Sequence, residues 1–314
     1  MQALDQKAPI PNRAADTSRK MALHRVDRPD ATMYLFEEHL HLADKLDLED
    51  AKRERAKGSY RGVLFCSAPE LEFVAKKERV HNDHYRLKIP KCGYRFLGTE
   101  KEVLLARALS EFGTYNGDFE VRYERPYGYI ETENGRYGLF GKIDVIESTW
   151  SQYPPDIAKF LMNLDSVDQS KPEDCARVID LKYALRQIYL PTHFGRVVLA
   201  NNGIEHNEPP FKDLISFNPK TSKMVTSIID FEFCKILTPS EIRDQLRLAY
   251  RSFDAIGILD MGDLVNDKMT WKLMEDAEGV IARANAYLGI NSAQDIDNLN
   301  SFGPAQGVIA SLGL

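Results

Sequence analysis

The chain has 314 residues, of which 43% are hydrophobic and 28% are charged, and its formal net charge is −6. This length is enough for one large domain or two lobes, and the composition is typical of a folded, water-soluble protein. The acidic balance offers no basic surface for nonspecific binding to nucleic acid. No apolar run approaches the roughly 20 residues that a membrane-spanning helix needs, and residues 1–20 contain no apolar signal segment. We therefore expect a cytoplasmic protein that binds neither membranes nor nucleic acid, with delivery to another cell by an unusual route left open.

The thiols and imidazoles argue against two common kinds of site. Cys66, Cys92, Cys175 and Cys234 are scattered without a Cys-x-x-Cys pair, which indicates reduced thiols rather than disulfides or structural zinc. The seven histidines form no His-x-x-x-His pattern, and no Gly-x-Ser-x-Gly turn is present. The sequence therefore predicts neither a zinc enzyme nor a hydrolase with a serine nucleophile on such a turn.

The first eighty residues predict an arm, a helix and two strands. Residues 1–30 are polar and contain three prolines, which favours a disordered or loosely attached arm. Residues 32–56 carry apolar side chains at helical spacing and are predicted to form an amphipathic helix. A glycine-containing turn at 57–62 leads into a strand, and residues 71–77 are predicted to form the next strand.

The middle of the chain predicts a helix, a hairpin and a linker. Residues 99–109 predict a helix with a capping box between Thr99 and Glu102. The strand-like segments 121–130 and 137–146 flank the turn sequence Glu133-Asn134-Gly135, which is typical of a β-hairpin. Residues 149–174 are polar and proline-containing, which predicts a linker or insertion around a short helix at 156–164. Residues 176–202 predict helix on both sides of Pro191, ended by Asn202-Gly203.

Three carboxylates, Glu208, Asp213 and Asp230, dominate the stretch that follows, at spacings of five and seventeen residues. A predicted strand at 214–217, a polar turn at 218–223 and a return strand at 224–229 deliver Asp230 next to the other two acids. A hairpin of this kind brings carboxylates together at one end. There, oxygen ligands can hold a divalent cation and orient a hydroxyl.

At these residues the chain resembles the protein-kinase-like superfamily. His206 matches the family histidine that opens the catalytic loop, Glu208 matches the catalytic acid, and Asp213 falls where the metal-binding Asn stands. Asp230-Phe231-Glu232 falls where the family has Asp-Phe-Gly. The resemblance implies that Asp213 and Asp230 bind metal, that Glu208 accepts the substrate hydroxyl proton, and that His206 braces the loop. The chain departs from the family in having Glu rather than Asp at 208, and Glu rather than Gly at 232.

The same resemblance implies an α+β, bilobal protein-kinase-like fold that binds ATP with Mg²⁺ or Mn²⁺. A small β-rich N-lobe is expected at 31–146 and a mainly helical C-lobe at 147–290, between the arm at 1–30 and a tail at 291–314. Residues 139–143 are expected to connect the lobes, where backbone groups of the family meet the adenine ring.

The family also places a lysine on a Val-Ala-x-Lys strand, which residues 71–77 resemble. Lys76 is favoured over Lys77 as the contact to the nucleotide phosphates, because Lys76 shares a strand face with Val74. A glutamate on the following helix fixes that lysine in the family, and here Glu100 is favoured over Glu102.

The segment after Asp230 bears on the acceptor of the phosphoryl group. Thr238-Pro239-Ser240-Glu241 predicts a helix start with a capping box, and 264–288 predicts a further amphipathic helix. The long activation segment of protein kinases has no room before this start. The resemblance therefore implies a small molecule or one dedicated protein as acceptor, rather than general peptides.

Two other interpretations stay open. Asp144, Asp180 and Lys182 resemble the carboxylate-carboxylate-lysine signature of metal-dependent nucleases, in which Mg²⁺ and a lysine activate water. Alternatively, Glu208 and the weak glycine loop would suit a pseudokinase, which keeps the fold and acts as a binding or scaffold protein.

Overall fold

The computed structural model describes residues 13–46, 52–55, 62–68, 70–78, 95–117, 119–143, 147–148, 171–173, 194–206, 214–218, 220–251 and 277–313. Over these residues the chain is a mixed α+β protein. Contacts divide it into two compact units, one made of Met1–Val80 with Pro126–Lys142, the other of His81–Arg125 with Ile143–Leu314.

The described residues form both helices and strands, which are numbered along the chain. The helices are α1 (Arg13–Met21), α2 (Thr99–Ala108), α3 (194–201), α4 (Pro239–Arg251), α5 (Ala277–Leu288), α6 (Ala293–Asp297) and α7 (Gln306–Ser311), with a 3₁₀ helix at Glu37–Leu42 and a π-helical turn at Leu109–Gly113. The strands are β1 (Leu23–Asp27), β2 (Ala31–Phe36), β3 (Lys52–Arg55), β4 (Val63–Ala68), β5 (Leu71–Lys77), β6 (Arg95–Phe96), β7 (Tyr115–Asn116), β8 (Glu120–Tyr123), β9 (Pro126–Thr132), β10 (Gly135–Gly141), β11 (Glu147–Ser148), β12 (Ile204–His206), β13 (Leu214–Asn218), β14 (Lys223–Ile228) and β15 (Phe233–Ile236).

The first unit is built on an antiparallel sheet with the strand order β1-β2-β9-β10-β5-β4-β3 among the described residues. The predicted strand at 71–77 is confirmed as β5, and the predicted hairpin is confirmed as β9 and β10 around the turn Glu133-Asn134. One face of the sheet carries the core, which contains Met33, Leu35, Phe73, Ala75, Ile130 and Leu139 and is extended by Leu42 and Leu46 from the 3₁₀ helix and the turn after it.

Two predictions for the start of the chain were wrong. The predicted arm contains α1 and β1, and Val26 of β1 packs against the core because β1 pairs with β2. The predicted helix at 32–56 begins instead as strand β2, in which buried Ala31, Met33 and Leu35 alternate with half-buried neighbours. A period of two buries one face of a sheet, and a few apolar residues fit this period as well as they fit a helix.

The second unit contains two smaller sheets in its described part. One has the order β11-β13-β14-β8-β7, with β14 and β8 parallel, and the other has the order β12-β15-β6. The predicted strand at 121–130 is divided between the units, since β8 ends at Tyr123 and β9 begins at Pro126. Residues 81–125, which the predicted N-lobe included, therefore group by contacts with the second unit.

Glu120 ties β8 to the turn of the β13–β14 hairpin. Its buried carboxylate accepts hydrogen bonds from the Thr221 hydroxyl, the Asn218 amide and Arg122. Burial alone would raise the pKa of Glu120, but these donors outweigh it and the pKa falls below its ordinary value. The carboxylate therefore stays charged and holds the hairpin turn against the parallel strand.

Helix α2 is buried on most of its surface, and its predicted capping box is wrong. The N-cap is Gly98 without a side-chain hydrogen bond, and Thr99 is the first helical residue. Glu102 donates its backbone N–H to the Gly98 carbonyl at 3.0 Å, and its side chain is fully buried whereas Glu100 is exposed. The local sequence suits a box, but the side chains of Thr99 and Glu102 are both buried.

The helical part of the second unit includes the predicted tail. Ile242 and Leu246 of α4 pack in one core with Ala284 of α5, and Ile296 of α6 belongs to the same core. Residues 291–314 thus contain two short packed helices in addition to loops. The described helices include none that is long and apolar enough to cross a membrane.

Some predicted features lie outside the described residues. These are the turn at 57–61, most of the linker at 149–174 with its short helix, the first part of the helix around Pro191 and the start of the helix predicted at 264–288. Cys92 and Cys175 also lie there, while Cys66 and Cys234 are buried and no disulfide joins either of them to another described residue.

Asn202, at the end of α3, holds the C-terminal segment there through hydrogen bonds of its side chain. Its fully buried amide donates to the carbonyls of Gly113 and Val198, at 3.3 and 2.9 Å, and accepts the Ala305 N–H at 3.0 Å. Next to it, the Gly303 N–H donates to the Asn201 carbonyl at 2.8 Å. One side chain therefore connects three separate segments of the second unit.

We predict that Asn202→Ala lowers the free energy of unfolding by about 2–3 kcal/mol, because buried backbone groups lose their partner without gaining water. Urea unfolding of the whole chain measures this change. The control is Asn201→Ala, which removes a longer, half-buried bond to the Tyr287 hydroxyl at 3.4 Å and should cost about 1 kcal/mol or less. Equal costs for the two variants would contradict the connecting role of Asn202.

Candidate functional site

The strand that carries His206 begins directly after a helix end. Gly203 closes α3 with a φ of +88°, a conformation that glycine adopts without strain. Its carbonyl accepts the Leu237 N–H at 2.8 Å, and the ladder continues with Ile204 opposite Ile236 and His206 opposite Cys234. The pairing of β12 with β15 thus brings His206 beside the residues that follow Asp230 in the chain.

A second set of strands delivers Asp230. The predicted hairpin is confirmed as β13 and β14, with Leu214 opposite Ser227 and Asn218 opposite Lys223. Asp230 follows the end of β14, and the parallel pairing of β14 with β8 places Tyr123 opposite Ile228. The turn at Asp230 is therefore flanked by β8 on one side and β12 on the other.

His206 contacts this turn in two ways. Its Nε2 lies 2.9 Å from the Asp230 carbonyl oxygen, and because that oxygen can only accept, Nε2 carries the donated proton. The imidazole also meets the Phe231 ring edge to face, with centroids 5.3 Å apart and planes at 85°. Both contacts are those of a side chain that supports the backbone of the turn.

Asp230 itself has a φ of 65°, in the left-handed region that residues other than glycine seldom adopt. Its N–H donates to Oε1 of Glu124 at 3.1 Å. Residues held in such conformations cluster at functional sites, where the surrounding structure offsets the strain. Glu124 was not predicted from the sequence, since the only local signal is a charged pair, Glu124-Arg125, between two strand-like runs.

Phe231 and Glu232 follow Asp230 in the turn, and both side chains are buried. Phe231 is fully buried and lies 6.0 Å from the Tyr123 ring, measured between centroids. Glu232, which stands where the resembled family has glycine, is also buried, and its carbonyl accepts the Leu97 N–H at 2.8 Å. This position therefore has a fixed backbone contact in addition to a large side chain.

The two candidate lysines differ in burial. Lys76 is 4% exposed, and its amino group lies 4.6 Å from the centroid of the Phe140 ring. Lys77 is exposed, with its amino group 5.8 Å from the Tyr137 ring centroid. The two side chains point to opposite faces of the sheet, as alternation in a strand requires.

Several predicted site residues lie outside the described residues. Glu208 and Asp213 belong to this set, and so do Asp144, Asp180 and Lys182 of the nuclease interpretation. In the described part of the chain, no three His, Cys, Asp or Glu side chains form a group that could hold a metal ion. The structure thus brings together His206 and Asp230, and adds Glu124 to them.

Cys234 lies opposite His206 in the ladder but is unsuited to nucleophilic chemistry. Burial raises its pKa to about 12, with a further contribution from the charge of Glu102. The thiol therefore stays protonated at neutral pH, and it is the thiolate that attacks or binds metal.

The segment after Asp230 ends at a capped helix. The Thr238 N–H donates to Oε2 of Glu241 at 2.9 Å, and the Glu241 N–H donates to the Thr238 hydroxyl at 3.4 Å. This confirms the capping box predicted for this helix, which is α4. Lys235 of β15 adds an ion pair to Glu241 at 2.9 Å. The start of α4 is thereby joined to the strand that pairs with β12.

In comparison with known proteins, no family model matches the chain and no curated protein matches it. Function is therefore inferred from the residues of this chain and their geometry.

Glu241 gives a pH-dependent test of the joint between β15 and α4. Its pKa is lowered from 4.5 to about 2, by the Thr238 N–H first and then by Lys235 and the Thr238 hydroxyl. A lowered pKa in the folded state stabilises the protein above the unfolded pKa and loses that effect as the pH falls. We predict that the difference in melting temperature between wild type and Glu241→Ala is constant above about pH 5 and shrinks between pH 4.5 and 2.

The control for this measurement is Ser240→Ala, which changes the same helical turn without removing a titratable group. Its difference from wild type should stay constant over the same pH range. If the Glu241→Ala difference also stayed constant down to the lowest pH, the hydrogen bonds to Glu241 would not be those of the folded state.

Proposed function

We propose that the chain is an ATP-dependent and divalent-metal-dependent phosphotransferase of the protein-kinase-like kind, with two lobes, that transfers a phosphoryl group to a hydroxyl. The observation that supports this most is the contact of His206 with the turn at Asp230-Phe231: one hydrogen bond to the Asp230 carbonyl and one edge-to-face contact with the buried Phe231 ring. The resemblance placed His206 and Asp230 in one expected site, although 24 positions separate them in the chain.

Asp230 is suited to hold Mg²⁺ or Mn²⁺. Carboxylate oxygens are the ligands that such hard cations prefer. The backbone that carries this carboxylate is held on both sides, by hydrogen bonds of the Asp230 carbonyl to His206 and of the Asp230 N–H to Glu124. Bound metal neutralises charge on the β- and γ-phosphates of ATP. Asp230 holds the ion with Asp213, His206 keeps the turn in place, and Glu208 accepts the proton of the substrate hydroxyl.

Lys76 is assigned to the phosphates of ATP. It lies on β5, which pairs with β4 and β10, and the resembled family also carries its phosphate lysine on a strand. Its burial supports this choice over the exposed Lys77, because a lysine is removed from water only where its charge is used or neutralised.

For the helix glutamate of the resembled family, the burial of the two candidates favours Glu102 over Glu100. The sequence favoured Glu100, but Glu100 is exposed in the first turn of α2 and Glu102 is fully buried there. An exposed acid at a helix start is explained by the helix dipole alone. A buried carboxylate needs charged or hydrogen-bonding neighbours, as a catalytic ion pair would supply.

The acceptor is assigned to a small molecule or one dedicated protein. Strand β15 runs from Phe233 to Ile236, and the capped helix α4 begins at Pro239. This leaves no long activation segment between Glu232 and α4 on which varied peptides would dock.

We predict that Asp230→Asn abolishes the metal-dependent part of the stabilisation by ATP and lowers phosphoryl transfer by about 10²- to 10³-fold, as loss of one charge-stabilising group does. Asn tolerates the left-handed backbone as well as Asp, so the fold should be kept. Melting temperatures with ATP, with and without Mn²⁺ or Mg²⁺, measure the first effect. The control is Asp244→Asn, which removes an exposed acid of α4 that pairs with Arg247.

Near-normal turnover of Asp230→Asn would rule out the assignment of metal to this residue. If ATP raises the melting temperature of the wild type and of Asp230→Asn equally, with or without metal, the chain is a pseudokinase-like binding protein instead. If ATP has no effect on the wild type, the phosphotransferase proposal fails.

We predict that Lys76→Met and Glu102→Gln each raise the KM for ATP or lower kcat by about tenfold or more, the size of a charge-assisted contact. Lys77→Met and Glu100→Gln are the matched controls and should change either constant less than about twofold, since exposed charges contribute little. Steady-state kinetics of the four variants decides between the residue pairs. Larger effects in the controls would reverse both assignments.

A further inference from the structure

We propose that Glu124 is a positioning residue for the metal-binding Asp230, which it serves by holding the Asp230 backbone in the left-handed conformation. This inference rests on the proposed phosphotransferase function, because it concerns how the metal-binding carboxylate is presented. Glu124 lies in the junction between β8 and β9, outside the segment 203–232 on which the resemblance depends.

Glu124 is itself held by the end of β14. Its N–H donates to the Ile228 carbonyl at 3.2 Å, which extends the parallel β8–β14 ladder by one residue. Its Oε1 then accepts the Asp230 N–H at 3.1 Å. The backbone and side chain of one residue thus bind both the last carbonyl of the strand and the N–H of Asp230 in the turn.

The hydrogen bonds from Glu124 and His206 lie on the two sides of the Asp230 Cα. Glu124 accepts from the N–H before it, and His206 donates to the carbonyl after it. Together they fix the peptide planes on both sides of a residue whose φ is 65°. With both planes fixed, the Cα–Cβ bond has one direction, so the carboxylate is presented in one direction too.

The burial of Glu124 makes its contact persistent. The residue is 2% exposed, so water competes little for its carboxylate oxygens. A low local dielectric strengthens such a hydrogen bond. Tyr123 beside it is also buried and packs against the Phe231 ring.

Glu120 provides an internal comparison. It is a second buried glutamate of the same strand region, with 3% of its surface exposed against 2% for Glu124. Its partners are Thr221 and Asn218, at the end of the hairpin away from Asp230, and Arg122 of β8. Replacing Glu120 therefore removes a comparable buried carboxylate without touching the contact to Asp230.

The test compares Glu124→Met, Glu124→Gln and Glu120→Met in the full chain. Met fills the volume of Glu without an oxygen, whereas the amide oxygen of Gln still accepts the Asp230 N–H. Hydrogen–deuterium exchange of the peptide that contains residues 229–232 reports the contact directly. Melting temperatures are also measured in saturating ATP at increasing Mn²⁺ concentrations. The Mn²⁺ concentration at the midpoint reports how well the Asp230 carboxylate is positioned to bind the ion.

For Glu124→Met we expect faster exchange of the Asp230 amide and about tenfold more Mn²⁺ at the midpoint, which corresponds to ~1.4 kcal/mol. Glu124→Gln should restore both values to those of the wild type. Glu120→Met should lower the melting temperature without changing either. If Glu124→Met does not fold, Glu124→Asp is tested instead. Its side chain is one methylene too short for the carboxylate to reach the Asp230 N–H, so this variant should give the results expected for Glu124→Met.

The outcomes separate the two proposals. If the wild type shows no Mn²⁺-dependent response to ATP, the phosphotransferase proposal fails. If the wild type responds but Glu124→Met, or Glu124→Asp in its place, has the wild-type midpoint, the positioning role of Glu124 is overturned. It is also overturned if Glu124→Gln behaves like Glu124→Met, since the accepted hydrogen bond would then not be the cause.

Discussion

A residue other than glycine that keeps a positive φ needs neighbours that hold its backbone, and at Asp230 they come from separate strands. His206 reaches the turn from β12, Glu124 reaches it from the end of β8, and Phe231 anchors it in the interior. Each contact exists because a strand pairing is already in place. The conformation of one aspartate thus depends on two sheets of the second unit at once.

The second unit buries several glutamate side chains. Glu102, Glu120, Glu124 and Glu232 are all buried, and a buried carboxylate is costly unless donors surround it. At Glu120, donors from Asn218 and Thr221 hold the hairpin turn against β8. At Glu124, one donor is the backbone N–H of Asp230. Two of these buried acids, Glu120 and Glu124, therefore accept hydrogen bonds from residues at turns.

The C-terminal segment contributes to the same geometry from the other end. Asn202 joins Gly113, Val198 and Ala305, and the next residue, Gly203, starts the connection to β12. The strand with His206 is therefore held at its beginning by the last part of the chain. The residues that the sequence presented as a plain tail support the segment on which the proposed chemistry depends.

The sequence by itself determined the elements whose signals are local. The turn Glu133-Asn134, the capping box of Thr238 and Glu241, and the hairpin before Asp230 are encoded within a few neighbouring residues. Such features depend on short-range sterics and hydrogen bonding, so they can be read without knowing the partners in space. The resemblance also placed His206 and Asp230 in one expected site, but it gave no contact between them.

Tertiary structure determined the remaining features, because the burial of a residue depends on its contacts with residues distant in sequence. Residues 31–36 became a strand only because β1 and β9 flank them, since their apolar spacing also suits a helix. Glu102 and Glu100 are equivalent in the sequence of a helical turn, and only packing buries the former. Glu124 meets Asp230 across 106 positions of the chain, a distance at which no local pattern operates and only the pairing of β8 with β14 can bring an acceptor to that backbone N–H.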